Sequence, residues 1–147
     1  MKKRTKILVK KLHPDGGIHQ PKIAGDVGHD IVAAQDVIVP AFPHPTATLI
    51  PSKVVIAPPE GYWFQILGRS STANKRGLMV VPAVIDNLYR GELAACVFNM
   101  TDKPIEVKKG ERVAQAVFFK SEVFEFEEVE ELEETERGVK GYGSSGL

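Results

Sequence analysis

Between two apolar, β-prone runs at residues 80–85 and 93–98, the chain carries Asp86-Asn87-Leu88-Tyr89-Arg90-Gly91-Glu92. A carboxylate at the end of a strand can hold a water and take its proton. A ring three positions on offers a flat apolar surface to a sugar or base. Two β-prone runs separated by a short polar loop with Gly predict a hairpin, with Asp86 and Tyr89 over a shared hollow. The same residues also suit a plain turn, with Asp86 as turn former and Tyr89 packing across the strands. The pair alone does not separate these readings. A second concentration of chemistry lies in residues 137–147, where an arginine, a ring and two hydroxyls stand among glycines. That is phosphate- and base-binding chemistry on a flexible backbone, and equally the composition of a mobile tail.

These groups need a scaffold. A chain of 147 residues predicts one domain, and 43% hydrophobic residues suffice to bury a core. The formal net charge of +0 argues against a globally basic surface, so no direct nucleic-acid partner is expected. The single cysteine, Cys96, allows neither an internal disulfide nor a multi-cysteine metal site, and its apolar run predicts a buried, inert thiol. No stretch has a signal-peptide core or membrane-spanning length; a cytoplasmic protein with no membrane partner is expected. Strands are predicted at residues 5–12, 30–34 with a continuation through 37–39, 46–50, 54–57, 62–67, 104–109 and 112–119, besides the two hairpin runs. Ser70 and Gly77 bracket one short helix. Many short strands with Gly/Pro turns predict an all-β fold, a sandwich, jelly roll or distorted barrel. Residues 78–84 and 93–98 are apolar on both strand faces, which suits strands covered on both sides. Residues 122–136 are strongly acidic with Val123, Phe124, Phe126, Val129 and Leu132 interspersed, and predict a last strand fading into a solvated linker. Residues 1–136 thus read as the domain and 137–147 as a flexible lid belonging to it.

Five stretches in order resemble the homotrimeric dUTP pyrophosphatase (dUTPase) family. Gly28-His29-Asp30-Ile31-Val32-Ala33 is similar to Ala-Gly-aromatic-Asp-Leu-x-Ala, and Gly68-Arg69-Ser70-Ser71-Thr72-Ala73 to Pro-Arg-Ser-Gly-Leu-Ala. Ala83-Val84-Ile85-Asp86-Asn87-Leu88-Tyr89-Arg90-Gly91 is similar to Gly-x-Ile-Asp-x-x-Tyr-x-Gly, and Lys109-Gly110-Glu111-Arg112-Val113-Ala114-Gln115 to Lys-Gly-Asp-Arg-Ile-Ala-Gln. The tail from Arg137 to Gly146 is similar to Arg-Gly-x-Gly-Gly-Phe-Gly-Ser-Thr-Gly. The chain departs from the pattern at His29, Ser71, Thr72, Ala83, Lys140 and Tyr142. Arg69-Ser70-Ser71 leans toward the related dCTP deaminases, but the position of their glutamate base aligns with Cys96, and the ligand set of a zinc deaminase is missing.

The resemblance implies a jelly roll and hydrolysis of dUTP to dUMP and pyrophosphate, by in-line attack of water on the α-phosphorus. Such an activity limits uracil in DNA and supplies dUMP for dTMP synthesis. Asp86 would activate the water. Arg69, Ser70, Ser71, Gln115, Arg137, Ser144 and Ser145 would bind phosphates, the arginines as planar forks of donors. The strand edges at Ala83, Val84, Ile85 and Ala94 would read uracil through main-chain groups, Tyr89 would pack under the deoxyribose, and Tyr142 would stack on the base. Mg2+ is implied, with Asp30 acting on it through water; Asp30 read alone also suits a strand-start capping acid. The resemblance further implies a homotrimer with shared sites. A dCTP deaminase or bifunctional relative, a non-catalytic nucleotide-binding regulator and a jelly-roll interaction module are the competing readings.

Overall fold

The computed structural model describes residues 5–141. Among them run β1 (Leu8–Lys11), β2 (Gly17–His19), β3 (His29–Val32), β4 (Val37–Val39), β5 (Thr48–Pro51), β6 (Val54–Ala57), β7 (Tyr62–Gly68), α1 (Ser70–Arg76), β8 (Leu78–Val80), β9 (Ala83–Ile85), β10 (Ala94–Asn99), β11 (Ile105–Val107) and β12 (Arg112–Lys120). The fold is all-β with one short helix, as the spacing of turns predicts. The strands form four antiparallel sheets, in the orders β1-β6, β5-β10-β8, β11-β4 and β2-β3-β12-β7-β9. None closes into a barrel, so that alternative drops away.

The core is built by alternation. In β7 the side chains of Phe64 and Ile66 point inward, and in β10 those of Ala95 and Val97 do the same. Ile31 and Val113 of the β7 sheet, Ile50 of the β10 sheet, Leu93 just before β10, and Val39, Val54, Ile56 and Val107 from the two small sheets complete the same core. Full burial of a side chain of this size contributes about 1.5–3 kcal/mol. The buried Ser52 hydroxyl is satisfied by donating to the Leu93 carbonyl at 2.5 Å, which holds the β5–β6 corner against the start of β10.

Four sequence expectations are corrected. The two runs around Asp86 form only part of a hairpin: Val80 pairs with Val97 and the Val81 amide donates to the Cys96 carbonyl at 2.8 Å, but Ala83, Val84 and Ile85 ladder onto β7 instead. Pro82 lacks an amide donor and breaks the first run just before β9, so β9 and β10 lie in different sheets. Residues 30–39 are two strands in two sheets, because the chain bends at Ala34-Gln35 between β3 and β4. No strand forms in residues 121–136; this acidic arm is exposed throughout, with Phe126 and Val123 both at 101%. Finally, β8 and β9 are not covered on both faces within one chain, since Met79 and Val84 are exposed.

Candidate active site

The five-stranded sheet brings distant segments side by side. β3, β12 and β7 are consecutive neighbours, so Asp30 on β3 lies directly opposite Gln115 on β12, and Gln115 opposite Leu67 on β7. Arg69 follows at the end of β7. Asp30, Arg69, Ser70, Ser71, Arg112 and Gln115 therefore line one open cleft of about 690 Å³, closed on its other side by the loop at residues 19–28.

Within the cleft a single carboxylate organises two cations. Asp30 Oδ1 pairs with Arg69 Nε at 2.7 Å and Oδ2 with Arg112 Nη1 at 3.3 Å. Arg69 Nη1 also donates to the Arg112 carbonyl at 3.2 Å and the Ser71 hydroxyl at 3.3 Å. The guanidinium is thus fixed along one edge, and two arginines against one acid leave net positive charge. That suits a polyanion. Periodicity alone does not mark Arg112 as a member of this cluster. In a regular strand it and Gln115, three apart, would face opposite sides. The register shift between Arg112 and Ala114 inserts the extra residue that puts both into the cleft.

Gln115 donates from Nε2 to the Gly68 carbonyl at 2.8 Å. Its side chain lies across Gly28, where an added Cβ would stand 2.0 Å from Oε1. The first glycine of the first motif is therefore the floor under the glutamine of the fourth. The helix begins one residue earlier than its serine suggests. Arg69 is the N-cap, extended at φ −99° and ψ 146°, and no side chain caps the helix. The Ser70 side chain is left exposed. Gly77 ends the helix as expected, at φ 66°. Two departures from the family pattern acquire reasons. His29 sets its ring edge-on to Phe118 at 5.1 Å, as an aromatic residue would, and buried Thr72 donates to the Val113 carbonyl at 3.2 Å, tying the helix to β12.

Asp86 and Tyr89 lie elsewhere. Both are exposed, on the loop between β9 and β10. The Tyr89 ring folds over Gly91, where a Cβ would meet its hydroxyl oxygen at 2.2 Å, and the hydroxyl donates to the Glu92 carbonyl at 3.3 Å. Glu92 accepts from the Lys53 amide at 3.0 Å, which fastens that end of the loop. Ala83, Val84 and Ile85 ladder on one side only, to β7. Ala94 pairs with Pro51, and β8 joins β10 only from Val97 onward. Both edges offered for uracil therefore have no ladder partner on their second side among the described residues.

The cleft and the acid do not meet in one chain. Ile85 is level with Phe64 and Gln115 with Leu67, on opposite sides of β7. At about 3.3 Å per residue and 4.8 Å per strand, the Asp86 and Gln115 backbones are roughly 16 Å apart. Arg137 is exposed in the turn that Gly138 closes by donating to the Thr135 carbonyl at 2.9 Å. Tyr142, Ser144 and Ser145 lie outside the described residues. Among those described, no three His, Cys, Asp or Glu side chains group to hold a metal.

The fold and site define a class: an all-β protein of jelly-roll type with a cationic cleft and a separate exposed acid. Residues 15–146 match the dUTPase family model. The chain is 44% identical over 125 residues to the deoxyuridine 5'-triphosphate nucleotidohydrolase of Orientia tsutsugamushi strain Ikeda, covering 84% of each chain. It is 38% identical over 148 residues to that of Corynebacterium diphtheriae, covering 99% of this chain and 95% of the relative. The Staphylococcus bacteriophage 80alpha dUTPase with dUPNHPP superposes with a TM-score of 0.86 at 27% identity, over 97% of this chain and 99% of that one. The chain belongs to the dUTPase family.

Proposed function

We propose that the protein hydrolyses dUTP to dUMP and pyrophosphate by in-line attack of water on the α-phosphorus. Phosphoryl chemistry of this kind is mainly positioning and charge neutralisation, and the cleft supplies both. Its Asp30-clamped arginine pair carries the reading. In this account Arg69, Ser70, Ser71 and Gln115 hold phosphates, joined by Arg112. Asp86 holds the water and takes its proton. Tyr89 packs under the sugar and leaves no room for a 2′-hydroxyl, while the free edges at residues 83–85 and 94 read uracil. Arg137, Tyr142, Ser144 and Ser145 close over the ligand as a lid of residues 137–147 on the domain formed by residues 1–136.

The absence of a metal-ligating group among the described residues fits a magnesium ion that arrives on the triphosphate rather than one caged by protein. Asp30 would act on it through water. Bound magnesium neutralises phosphate charge.

The site is assembled between copies, and the implied arrangement is a homotrimer. The separation of the cleft from Asp86 across β7 supports this. So does an apolar sheet face carrying Leu49, Met79, Cys96 and Phe98, with Leu49 63% exposed. So do Phe124, Phe126 and Leu132, exposed on an arm with no fold of its own. Such apolar exposure marks a contact surface. No helix among the described residues is long and apolar enough to cross a membrane, in keeping with the proposed cytoplasmic location.

The test supplies dUTP, dCTP, dTTP and UTP with magnesium and measures pyrophosphate and ammonia. Pyrophosphate from dUTP alone is expected, and ammonia from dCTP would instead establish a deaminase. Mixing inactive Asp86→Asn and Arg69→Ala chains should restore part of the activity, because some sites then draw both intact residues from different copies. No restoration after subunit exchange would refute shared sites.

A further inference from the structure

We propose that Asn87 is a positioning residue for the reaction: its side-chain amide pins the turn that carries Asp86 to the body of the fold and so sets where the carboxylate stands. This rests on Asp86 being the acid that holds the water. Of residues 86–90, Asn87 alone is not exposed. Apart from the Tyr89 hydroxyl, which reaches the Glu92 carbonyl, the other bonds of the turn are internal to it. The Tyr89 amide donates to the Asp86 carbonyl at 3.1 Å. Arg90 Nη1 donates to the Asn87 carbonyl at 2.6 Å and the Tyr89 carbonyl at 2.9 Å. These bonds shape the turn but attach it to nothing else.

Asn87 Nδ2 reaches outside. It stands 3.1 Å from the Pro58 carbonyl, 2.8 Å from that of Pro59 and 3.3 Å from that of Tyr62. An amide group has two hydrogens to share among them. Its acceptors belong to a stiff segment of two prolines and Gly61 at φ 77°, leading directly into β7. Asp86 is therefore held from both sides by the same strand. Ile85 is laddered to Phe64, and Asn87 is bonded to the residue that begins β7. Tyr89 is fastened separately, through Gly91 and the Glu92 carbonyl.

The two anchors make a distinguishing prediction. Loss of the Asn87 amide frees the acid and leaves the ring and the phosphate cleft in place, so turnover falls while binding persists. Misplacement of a reacting group by about 1 Å costs on the order of 100-fold.

The experiment measures kcat and KM for dUTP, Kd for the dUTP analogue dUPNHPP and thermal stability in Asn87→Ala and Asn87→Asp. Asn87→Asp keeps the shape but turns an anion toward three carbonyls. Both variants should lose about 10- to 100-fold in kcat, with KM and Kd within about threefold of the parent. Two results overturn the proposal: unchanged kcat in both variants, or analogue affinity falling in step with kcat, which marks a merely structural residue. Asp86→Asn in the same series separates the premise from the inference. Full activity in Asp86→Asn removes the role of the acid and with it that of Asn87. Loss in Asp86→Asn with normal turnover in both Asn87 variants removes only the latter.

Discussion

Replacing Gly28 by alanine is a test of the cleft that leaves every proposed ligand-binding side chain in the sequence. The added Cβ would stand 2.0 Å from Gln115 Oε1 and 3.1 Å from its Cδ, both inside contact distance. The clashing atoms are at the end of a flexible side chain, so the amide swings aside and the backbone stays. The swing breaks the 2.8 Å bond from Gln115 Nε2 to the Gly68 carbonyl, at a net cost of about 0.5–1.5 kcal/mol. Gly28 is not in the left-handed region, so alanine recovers about 0.4–1 kcal/mol by restricting the unfolded chain. Stability is therefore nearly unchanged. Catalysis is not, because the amide leaves the position from which it would meet a phosphate. A hydrogen bond to a charged group contributes about 1.5–3 kcal/mol, or roughly 10- to 150-fold in kcat/KM. The assay is pyrophosphate release from dUTP at subsaturating substrate, for Gly28→Ala, Gln115→Ala and the double variant. Since both changes remove the same interaction, the double variant should be no worse than Gln115→Ala, a non-additivity expected of direct neighbours. Full kcat/KM in Gly28→Ala, or additive losses in the double variant, would refute the account of Gly28 as the floor of the glutamine site.

Asp86→Asn should lower kcat by about 100- to 10,000-fold, the usual contribution of a positioned general base, with thermal stability unchanged because the residue is exposed. Tyr89→Ala should raise kcat/KM for UTP relative to dUTP, and an unchanged ratio would remove the ring from sugar selection. Deleting residues 137–147 should cut dUTP turnover and leave the circular-dichroism spectrum intact; unchanged kinetics would remove the lid. The Asp36 carboxyl is held below the ordinary carboxylate range, first by the Lys109 amide that donates to it at 2.8 Å and then by the nearby Lys108. A depressed folded-state value means that its stabilisation is fully present above the ordinary value and lost as pH falls through the lowered one. Asp36→Asn should therefore flatten the acid limb of a melting-temperature profile, and an unaltered limb would dismiss the contact.

Residue order alone reveals the β class, the turn and strand spacing and the glycine stop at Gly77, and through the family resemblance the motif positions of Asp30, Arg69, Asp86 and Gln115. These are local or short-range properties, readable from periodicity, turn chemistry and residue order. Even the departure at His29 needed only an aromatic partner, which Phe118 provides. Which strands are neighbours, and so that Arg112 joins Asp30 and Arg69, emerges only from the folded chain. The fold also decided that the first run divides at Pro82, so that β9 and β10 on either side of Asp86 lie in different sheets. Arg112 was hidden because a β-bulge reverses the face on which a residue sits without marking its own sequence. A full hairpin and the observed half of one look alike in sequence, because two apolar runs and a polar loop do not show that the first run parts from the second after Val81 to join β7. Pairing is a non-local choice, settled here by burial of Phe64, Ile66, Ala95 and Val97 in one core, and no window of residues around Asp86 contains that information.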